Sequence, residues 1–381
     1  MATAGKVITC RAAVCWAKGE SLSIEEITVD PPKENEVRLR VVSSSFCHSD
    51  LHAIQGIKVP GLVDVQFPMV AGHEGAAVVE SVGLGVTSVA AGDSVIPLFG
   101  AQCGVCVLCK MDGTNFCLHS RGTRGLGVMM DGTSRMSCKG TPLKTFLGCS
   151  TFSEYFVIDE PCVAKISKKA DLKKVGVAGC CIPTGVGATR VVGKVKRGSV
   201  CAVWGLGAVG LATIMGCKLA GASTIIGIDV SASKEALGKK LGCTEFINPT
   251  KLDRPIQEYL QERFGGGCDF TFESIGNVMT MKAAYESVRP GGGVCTVLGV
   301  SSDPDKFVEV HPHDILAGKE IKGCYFGGLR FRFDVSPLVD EIIAGKICCD
   351  NFITDTLSID KINWAIEQMK AAQGIRYVLL F

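Results

Sequence analysis

Hydrophobic and polar positions change rhythm once along this chain. Up to about residue 181, short β-branched runs are separated by loops rich in Gly, Pro and Ser. Glu36-Val37-Arg38-Leu39-Arg40-Val41-Val42 and Ala76-Ala77-Val78-Val79-Glu80-Ser81-Val82 are two such runs, and the pattern predicts a β-rich domain. From Ser199 onward, strand-like runs alternate with helical stretches. The strands are expected at Val200–Trp204, Thr224–Asp229, Glu245–Asn248, Cys268–Phe272, Val294–Leu298 and Ile321–Phe326. Helical patterns fall at Ala208–Leu219, Ser231–Leu241, 255–264 and 278–288. This alternation predicts a parallel, doubly wound α/β sheet.

After residue 325 two more helical patterns precede Arg376-Tyr377-Val378-Leu379-Leu380-Phe381, an apolar strand expected to rejoin the first domain. The expected division is therefore 1–181 with 325–381 for one domain, and 182–324 for the other. The strand at 292–300 is expected to be an open edge that could pair across a homodimer. One uncharged run, Ser199 to Cys217, has the length of a bilayer span. Its first half reads as a strand, and Gly205, Gly207, Gly210 and Gly216 interrupt the rest, so a buried strand–turn–helix is expected.

Composition narrows the class. Hydrophobic residues make up 47% of the chain, charged residues 20%, and the net charge is +2. That balance excludes intrinsic disorder. It also gives no electrostatic footprint for nucleic acid or an anionic membrane. The twenty cysteines would suggest disulfides in a secreted protein, but Met1–Val7 lacks the apolar core of a signal peptide. A reduced, cytoplasmic protein is expected, with many small buried thiols.

Gly205-Leu206-Gly207-Ala208-Val209-Gly210 follows a strand and opens a helix, as a dinucleotide site requires. The first Gly allows the tight turn, the second lets backbone approach the pyrophosphate, and the third lets helix pack on strand. Asp229 stands 19 residues beyond Gly210, at the end of the next strand. A carboxylate there accepts ribose hydroxyls and repels a 2′-phosphate, so NAD is favoured over NADP.

Cys103, Cys106, Cys109 and Cys117 have the spacing C-x2-C-x2-C-x7-C. This fits a closed tetrahedral zinc site. An iron–sulfur cluster is the competing reading, but the last cysteine lies farther off than the bacterial ferredoxin pattern and no Pro follows it. Cys47, His73 and Cys180 are more dispersed, and each alone reads as an ordinary core or loop residue. Two cysteines and a histidine with one open position are nonetheless a known catalytic zinc set.

Taken together, the motifs resemble the zinc-dependent medium-chain alcohol dehydrogenases, of the animal and plant dimeric type. The likeness is carried by Cys47-His48-Ser49-Asp50, Gly72-His73-Glu74-Gly75, the four clustered cysteines, Asp131-Gly132-Thr133-Ser134-Arg135, Ser150-Thr151-Phe152-Ser153-Glu154-Tyr155, Gly205 to Gly210 and Phe326-Gly327-Gly328. The resemblance implies a GroES-like catalytic domain, a Rossmann coenzyme domain, two zinc ions per subunit, NAD, a small alcohol or aldehyde substrate, and a homodimer. It assigns Cys47, His73 and Cys180 to the catalytic zinc, with Asp50 orienting His73 and Glu74 near the metal. Ser49 is implied to hold the substrate oxygen and pass its proton by way of the ribose to His52. His48 and Arg376 are implied to contact the pyrophosphate, Thr184 and Val209 the nicotinamide, and Asp229 and Lys234 the adenosine ribose. Phe99, Phe146, Leu147, Leu298 and Val300 are the implied substrate pocket.

The chain departs from the family pattern at three positions. Ala77 stands where Gly is usual, and an Ala held at φ > 0 would cost more than about 1 kcal/mol. Cys181 and Pro183 flank the third catalytic ligand, where Gly and Ser or Thr are usual, and Pro183 removes an N–H. Cys181 is the thiol expected to oxidise first. Two other functions compete. In the glutathione-dependent formaldehyde dehydrogenases, whose substrate is S-(hydroxymethyl)glutathione, an Arg at the place of Arg121 binds an anion. Lys58 and His52 replace that subclass's acidic and aromatic residues, which favours ordinary alcohols. A non-catalytic zinc-binding structural protein is the third reading, opposed by the retained Ser49 and His52.

Overall fold

The computed structural model describes residues 3–57, 65–120, 125–301, 303 and 305–381. Arg121 and Lys58, which bear on the glutathione reading, lie outside the described residues. The chain divides into two compact units, Met1–Cys180 with Arg330–Phe381, and Cys181–Leu329.

Among the described residues the first unit is built on two sheets. One of them joins, in spatial order, Val163–Lys165, Ser94–Pro97, Glu74–Val82, Glu36–Ser45, Arg376–Leu380 and Ile353–Ser358, with Tyr155–Asp159 also paired to Glu36–Ser45. The closing strand does return to this domain, pairing antiparallel so that Val378 faces Ser45. Ser45 in turn faces Glu74 on the opposite neighbour. Side chains of directly paired residues share a face, so residues far apart in sequence are brought to one place. Ala77 lies inside Glu74–Val82, paired with Val41 and Val95, and is not among the non-glycine residues at positive φ. The strain considered for this position does not arise.

In the second unit the described strands form a parallel sheet. Their order is Glu245–Ile247, Thr224–Ile228, Val200–Trp204, Phe270–Glu273, Val294–Val297 and Glu320–Gly323. In sequence order this is 3-2-1-4-5-6, the doubly wound arrangement. The strands Val200–Trp204, Thr224–Ile228, Phe270–Glu273 and Val294–Val297 are largely buried and read as nearly continuous apolar runs. Ala202, Trp204, Ile226, Ile228, Leu260, Tyr285, Val288 and Cys295 form one buried cluster on this sheet. Each large member contributes roughly 1.5–3 kcal/mol when removed from water.

Several boundaries move. The last strand of this sheet ends at Gly323, because Tyr325 already leads a 3₁₀ turn at Phe326–Gly328. Val294–Val297 is paired on both sides, so 292–300 is not an edge; among the described strands that end of the sheet is Glu320–Gly323 and the other end is Glu245–Ile247. Ser231 does not cap the following helix through its side chain. A 3₁₀ turn at Ala232–Lys234 intervenes before Glu235–Leu241. The uncharged run Ser199–Cys217 is the strand Val200–Trp204 and most of the helix Ala208–Leu219. Among the described residues no helix is long and apolar enough to cross a membrane. All twenty cysteines are free thiols.

Candidate metal and dinucleotide sites

Cys47, His73 and Cys180 come together, their ligand atoms all within 4.8 Å of one another, and all three are buried. Each ligand stands in connecting residues, as expected, next to a regular element. Cys47 caps the helix His48–Ile54, His73 precedes the strand Glu74–Val82, and Cys180 ends a 3₁₀ turn at Val175–Gly179. Asp50 serves two of these elements at once. Its Oδ2 accepts the Cys47 backbone N–H at 3.1 Å, closing a capping box at the helix start. Its Oδ1 accepts the Gly72 N–H at 3.0 Å and lies 2.9 Å from His73 Nδ1. A carboxylate on one ring nitrogen fixes the histidine so that the other faces the ligand cluster.

The same electrostatics show in the titration of the trio. Burial pushes the His73 pKa down, but the Asp50 charge and hydrogen bond, joined by Cys47, raise it well above the usual histidine range. The Cys180 hydrogen bond and the Arg376 charge hold Cys47 well below an ordinary thiol, against the effect of burial. Cys180 is correspondingly raised, by Cys47 and by burial.

Behind the trio lies an ion pair. Arg376 donates from Nε to Glu74 Oε1 at 2.8 Å, and from Nη2 to Glu74 Oε2 at 3.3 Å. The same Nη2 lies 3.4 Å from Cys47 Sγ. Ser45 Oγ also donates to Glu74 Oε1. Sequence reasoning missed Ser45. Its signal was Ser43-Ser44-Ser45, three hydroxyls in a strand where all three are buried. Each has a separate partner, since Ser43 donates to the Leu172 carbonyl and Ser44 bonds the Thr151 hydroxyl.

Around the trio, Phe99 and Phe146 meet the His73 ring edge-on at 5.4 and 5.6 Å. Leu147 is buried and sits at φ 54°, followed by Gly148 at φ 74°. Mutual hydrogen bonds between Phe146 and Cys149 make this a two-residue hairpin of the kind that demands positive φ at both central positions. A leucine there is strained by about 1–3 kcal/mol. Leu298 and Val300 lie in the other unit, half-buried and exposed respectively. Ser49 and His52 share the helix His48–Ile54, one turn apart, with Ser49 Oγ at 3.9 Å from Cys47 Sγ. His52 is half-buried, and burial together with the nearby His48 lowers its pKa. The His48 and His52 rings are 6.1 Å apart, and His48 is exposed.

Cys103, Cys106, Cys109 and Cys117 form the second cluster. The Cys103–Cys109 and Cys106–Cys117 sulfur pairs are 3.8 and 4.0 Å apart. A tetrahedron with zinc–sulfur arms of about 2.3 Å has edges of about 3.8 Å, so the four thiols already outline that shape. Backbone N–H groups of Leu118 and Cys109 pull the Cys106 thiol down to about 6, toward the thiolate a metal needs.

In the second unit Gly205 has φ 85°, and a Cβ on Gly210 would sit 1.7 Å from the Gly205 carbonyl oxygen. A Cβ on Gly207 would meet nothing within 4 Å, so open space lies before the turn at the N-terminus of Ala208–Leu219. That is the cradle a pyrophosphate requires. Asp229 accepts the Leu206 N–H at 2.8 Å and the Lys234 ammonium at 3.0 Å on Oδ2, and the Ser231 N–H at 2.8 Å on Oδ1. Val209 is half-buried in the first turn of that helix. Thr184 is buried in the helix Cys181–Gly187. Pro183 is the third residue of this helix, where an N–H has no acceptor within the helix, so its missing donor breaks no helical bond. Cys181 is fully buried, which removes it as the thiol most open to oxidation.

Residues 33–168 match the family model of the alcohol dehydrogenase GroES-like domain, and residues 208–343 that of the zinc-binding dehydrogenases. Among solved structures, the chain is similar to an alcohol dehydrogenase zinc-binding domain protein from Burkholderia ambifaria. That pair shares 31% identity over 99% of this chain and 100% of the other, with a TM-score of 0.90. Benzyl alcohol dehydrogenase from Acinetobacter calcoaceticus is 28% identical over 98% and 99%, with a TM-score of 0.89. At 23% identity over 98% and 99%, and a TM-score of 0.74, 2R,3R-butanediol dehydrogenase from Bacillus subtilis shares the fold.

Proposed function

Because the chain belongs to the zinc-binding alcohol dehydrogenase family, we propose that it oxidises an apolar alcohol with NAD, reversibly, as a dimer of the animal and plant type. The observation that carries this reading is the buried Cys47–His73–Cys180 trio beside Ser49. Three protein ligands leave a fourth position for substrate, whereas the four-cysteine cluster is closed. We assign one zinc ion to each. A zinc ion held by Cys47, His73 and Cys180 would lower the pKa of a bound hydroxyl toward about 7, and a bound nicotinamide would accept the hydride.

The chain's own residues do the rest. Asp50 holds the His73 ring in register, and Arg376 offsets negative charge on Glu74 and Cys47. Ser49 holds the substrate hydroxyl and gives its proton a first acceptor. His52, kept neutral by burial and by His48, takes that proton one helical turn away. Phe99 and Phe146 around His73 support an apolar substrate, as does the likeness to a benzyl alcohol dehydrogenase. Asp229 supports NAD over NADP, since a carboxylate repels a 2′-phosphate. His48, Arg376, Thr184, Val209 and Lys234 keep the cofactor roles that the family resemblance implies. Pairing of subunits is assigned to the edge strand Glu320–Gly323, near the exposed Ile315, Leu316 and Ile321. The free thiols support a reducing, cytoplasmic setting.

The test is a reduction screen with NAD and NADP over short, long, aromatic and secondary alcohols, with and without glutathione, alongside zinc counting. Alcohol-dependent NAD reduction by protein holding two zinc ions is expected. Activity confined to formaldehyde plus glutathione would move the function to the glutathione adduct. Zinc content without any turnover would leave a structural protein.

A further inference from the structure

The second unit carries a cationic cleft that alcohol oxidation does not use. It has a volume of about 240 Å³ and is lined by Lys196, Arg197, Ser199, Asp269, Phe270 and Arg289, with Gly198 and Gly292 at its rim. It lies where the strands Val200–Trp204, Phe270–Glu273 and Val294–Val297 begin, whereas Gly205 of the dinucleotide turn follows the end of the first. At about 3.3 Å per residue, the five-residue strand Val200–Trp204 separates the two places by about 16 Å.

Three cations face one carboxylate here, and that carboxylate is already engaged. Asp269 accepts the Val200 N–H at 2.8 Å through Oδ2 and pairs through Oδ1 with Arg289 Nε at 2.9 Å. Only the Nε edge of Arg289 is used in this way. Among the described residues, Lys196 and Arg197 have no carboxylate partner. The walls are fixed by backbone bonds, since Asp269 donates to Val200, Arg289 to Cys268 and Val294 to Asp269. Cβ atoms on Gly198 or Gly292 would meet nothing within 4 Å, so the mouth is open.

We propose that this cleft binds a phosphate dianion, free or as the monoester of a small metabolite, held by Arg197, Arg289 and Lys196. Two guanidinium groups match tetrahedral oxyanions with paired N–H donors, and a lysine adds a point charge. The volume is below the roughly 300–1,000 Å³ of sites that enclose drug-sized ligands, so a dinucleotide is too large. By bridging the loops ahead of three strands, the anion stabilises this unit.

The experiment is calorimetric titration of the zinc-loaded protein with inorganic phosphate and, separately, glycerol 3-phosphate. Saturating NAD keeps the dinucleotide turn filled, and chloride holds ionic strength constant. One saturable site per chain is expected, with the thermal midpoint rising as it fills. Binding is expected to weaken at least tenfold in K196Q/R197Q, which leaves the Asp269–Arg289 pair intact, and again in R289Q. The tighter of the two titrants identifies the source of the phosphate. Equal binding by wild type and both variants, or a midpoint shift reproduced by chloride alone, would overturn the proposal. So would saturable binding of a short oligonucleotide with no phosphate response, which would reassign the cleft to nucleic acid.

Discussion

Arg376 and Glu74, 302 positions apart in sequence, form a buried ion pair directly behind the thiol of Cys47. The closing strand of the chain thereby joins the electrostatics of the metal trio. Breaking a buried pair from one side leaves the other charge uncompensated, at a cost of about 3–5 kcal/mol. Arg376→Gln is expected to lower urea stability by that amount, and E74Q/R376Q to recover most of it. A single variant as stable as wild type would show that the pair contributes nothing to folding.

Asp50 is bonded to the Cys47 and Gly72 N–H groups as well as to His73, so its removal loosens two ligands together. Asp50→Asn is expected to weaken zinc at the trio by about 10–100-fold. Competition with a chelator measures this on the protein alone, without turnover. An unchanged affinity would mean that His73 needs no orienting partner.

His52 titrates below the usual histidine value, lowered by burial and by His48. Its neutral form is favoured in the folded state, so its contribution to stability is present above about pH 6.5 and is lost as pH falls through the depressed value. The acidic limb of alcohol oxidation is therefore expected below pH 6.5, and His52→Gln should remove that limb and lower the rate about 10²-fold or more. The pH profile of kcat decides it, and a limb retained in the variant would take His52 out of the relay.

The lobe from Cys103 to Cys117 carries Val105, Val107, Met111 and Phe116 on its surface, with little apolar packing of its own. Its shape is expected to depend on the zinc proposed for it. Cys106→Ser is expected to reduce zinc from two ions per chain to one, and to open the lobe to proteolysis between those cysteines. Metal analysis and limited digestion report the two effects separately. Two retained zinc ions would place the second elsewhere.

What could be read in the sequence was what lies close together along the chain. The four lobe cysteines span fifteen residues, and the glycine turn is flanked by its own strand and helix, so spacing alone constrained the geometry. The trio was harder, because Cys47 and Cys180 are joined only by the fold, and its assignment rested on resemblance. The Arg376–Glu74 pair left no local pattern at all, and the serine run ending at Ser45 did not name its partner, since these residues meet through strand register. The open edge was misplaced although a strand at Ile321–Phe326 was expected, because strand order within a sheet leaves no local signature and Glu320–Gly323 is largely exposed and polar.

Asp229 offers the most direct reading of cofactor choice. Its carboxylate accepts the Leu206 N–H inside the glycine turn and the Lys234 ammonium on the same oxygen, so it shapes the turn as well as holding the proposed ribose position. Asp229→Asn keeps one acceptor oxygen and removes the charge. Loss of a charge-assisted hydrogen bond costs about 1.5–3 kcal/mol, which is roughly a tenfold to hundredfold rise in KM for NAD. Lys234 loses its carboxylate at the same time and becomes a partner for a 2′-phosphate, so KM for NADP is expected to fall. D229N/K234A separates the two effects. It should keep the penalty on NAD and forfeit the gain on NADP, whereas a gain that persists without Lys234 would mean that relief of repulsion alone sets the preference. Steady-state kinetics with both cofactors at one fixed alcohol concentration measure the outcome, and an unchanged NAD-to-NADP ratio in Asp229→Asn would remove this carboxylate as the determinant.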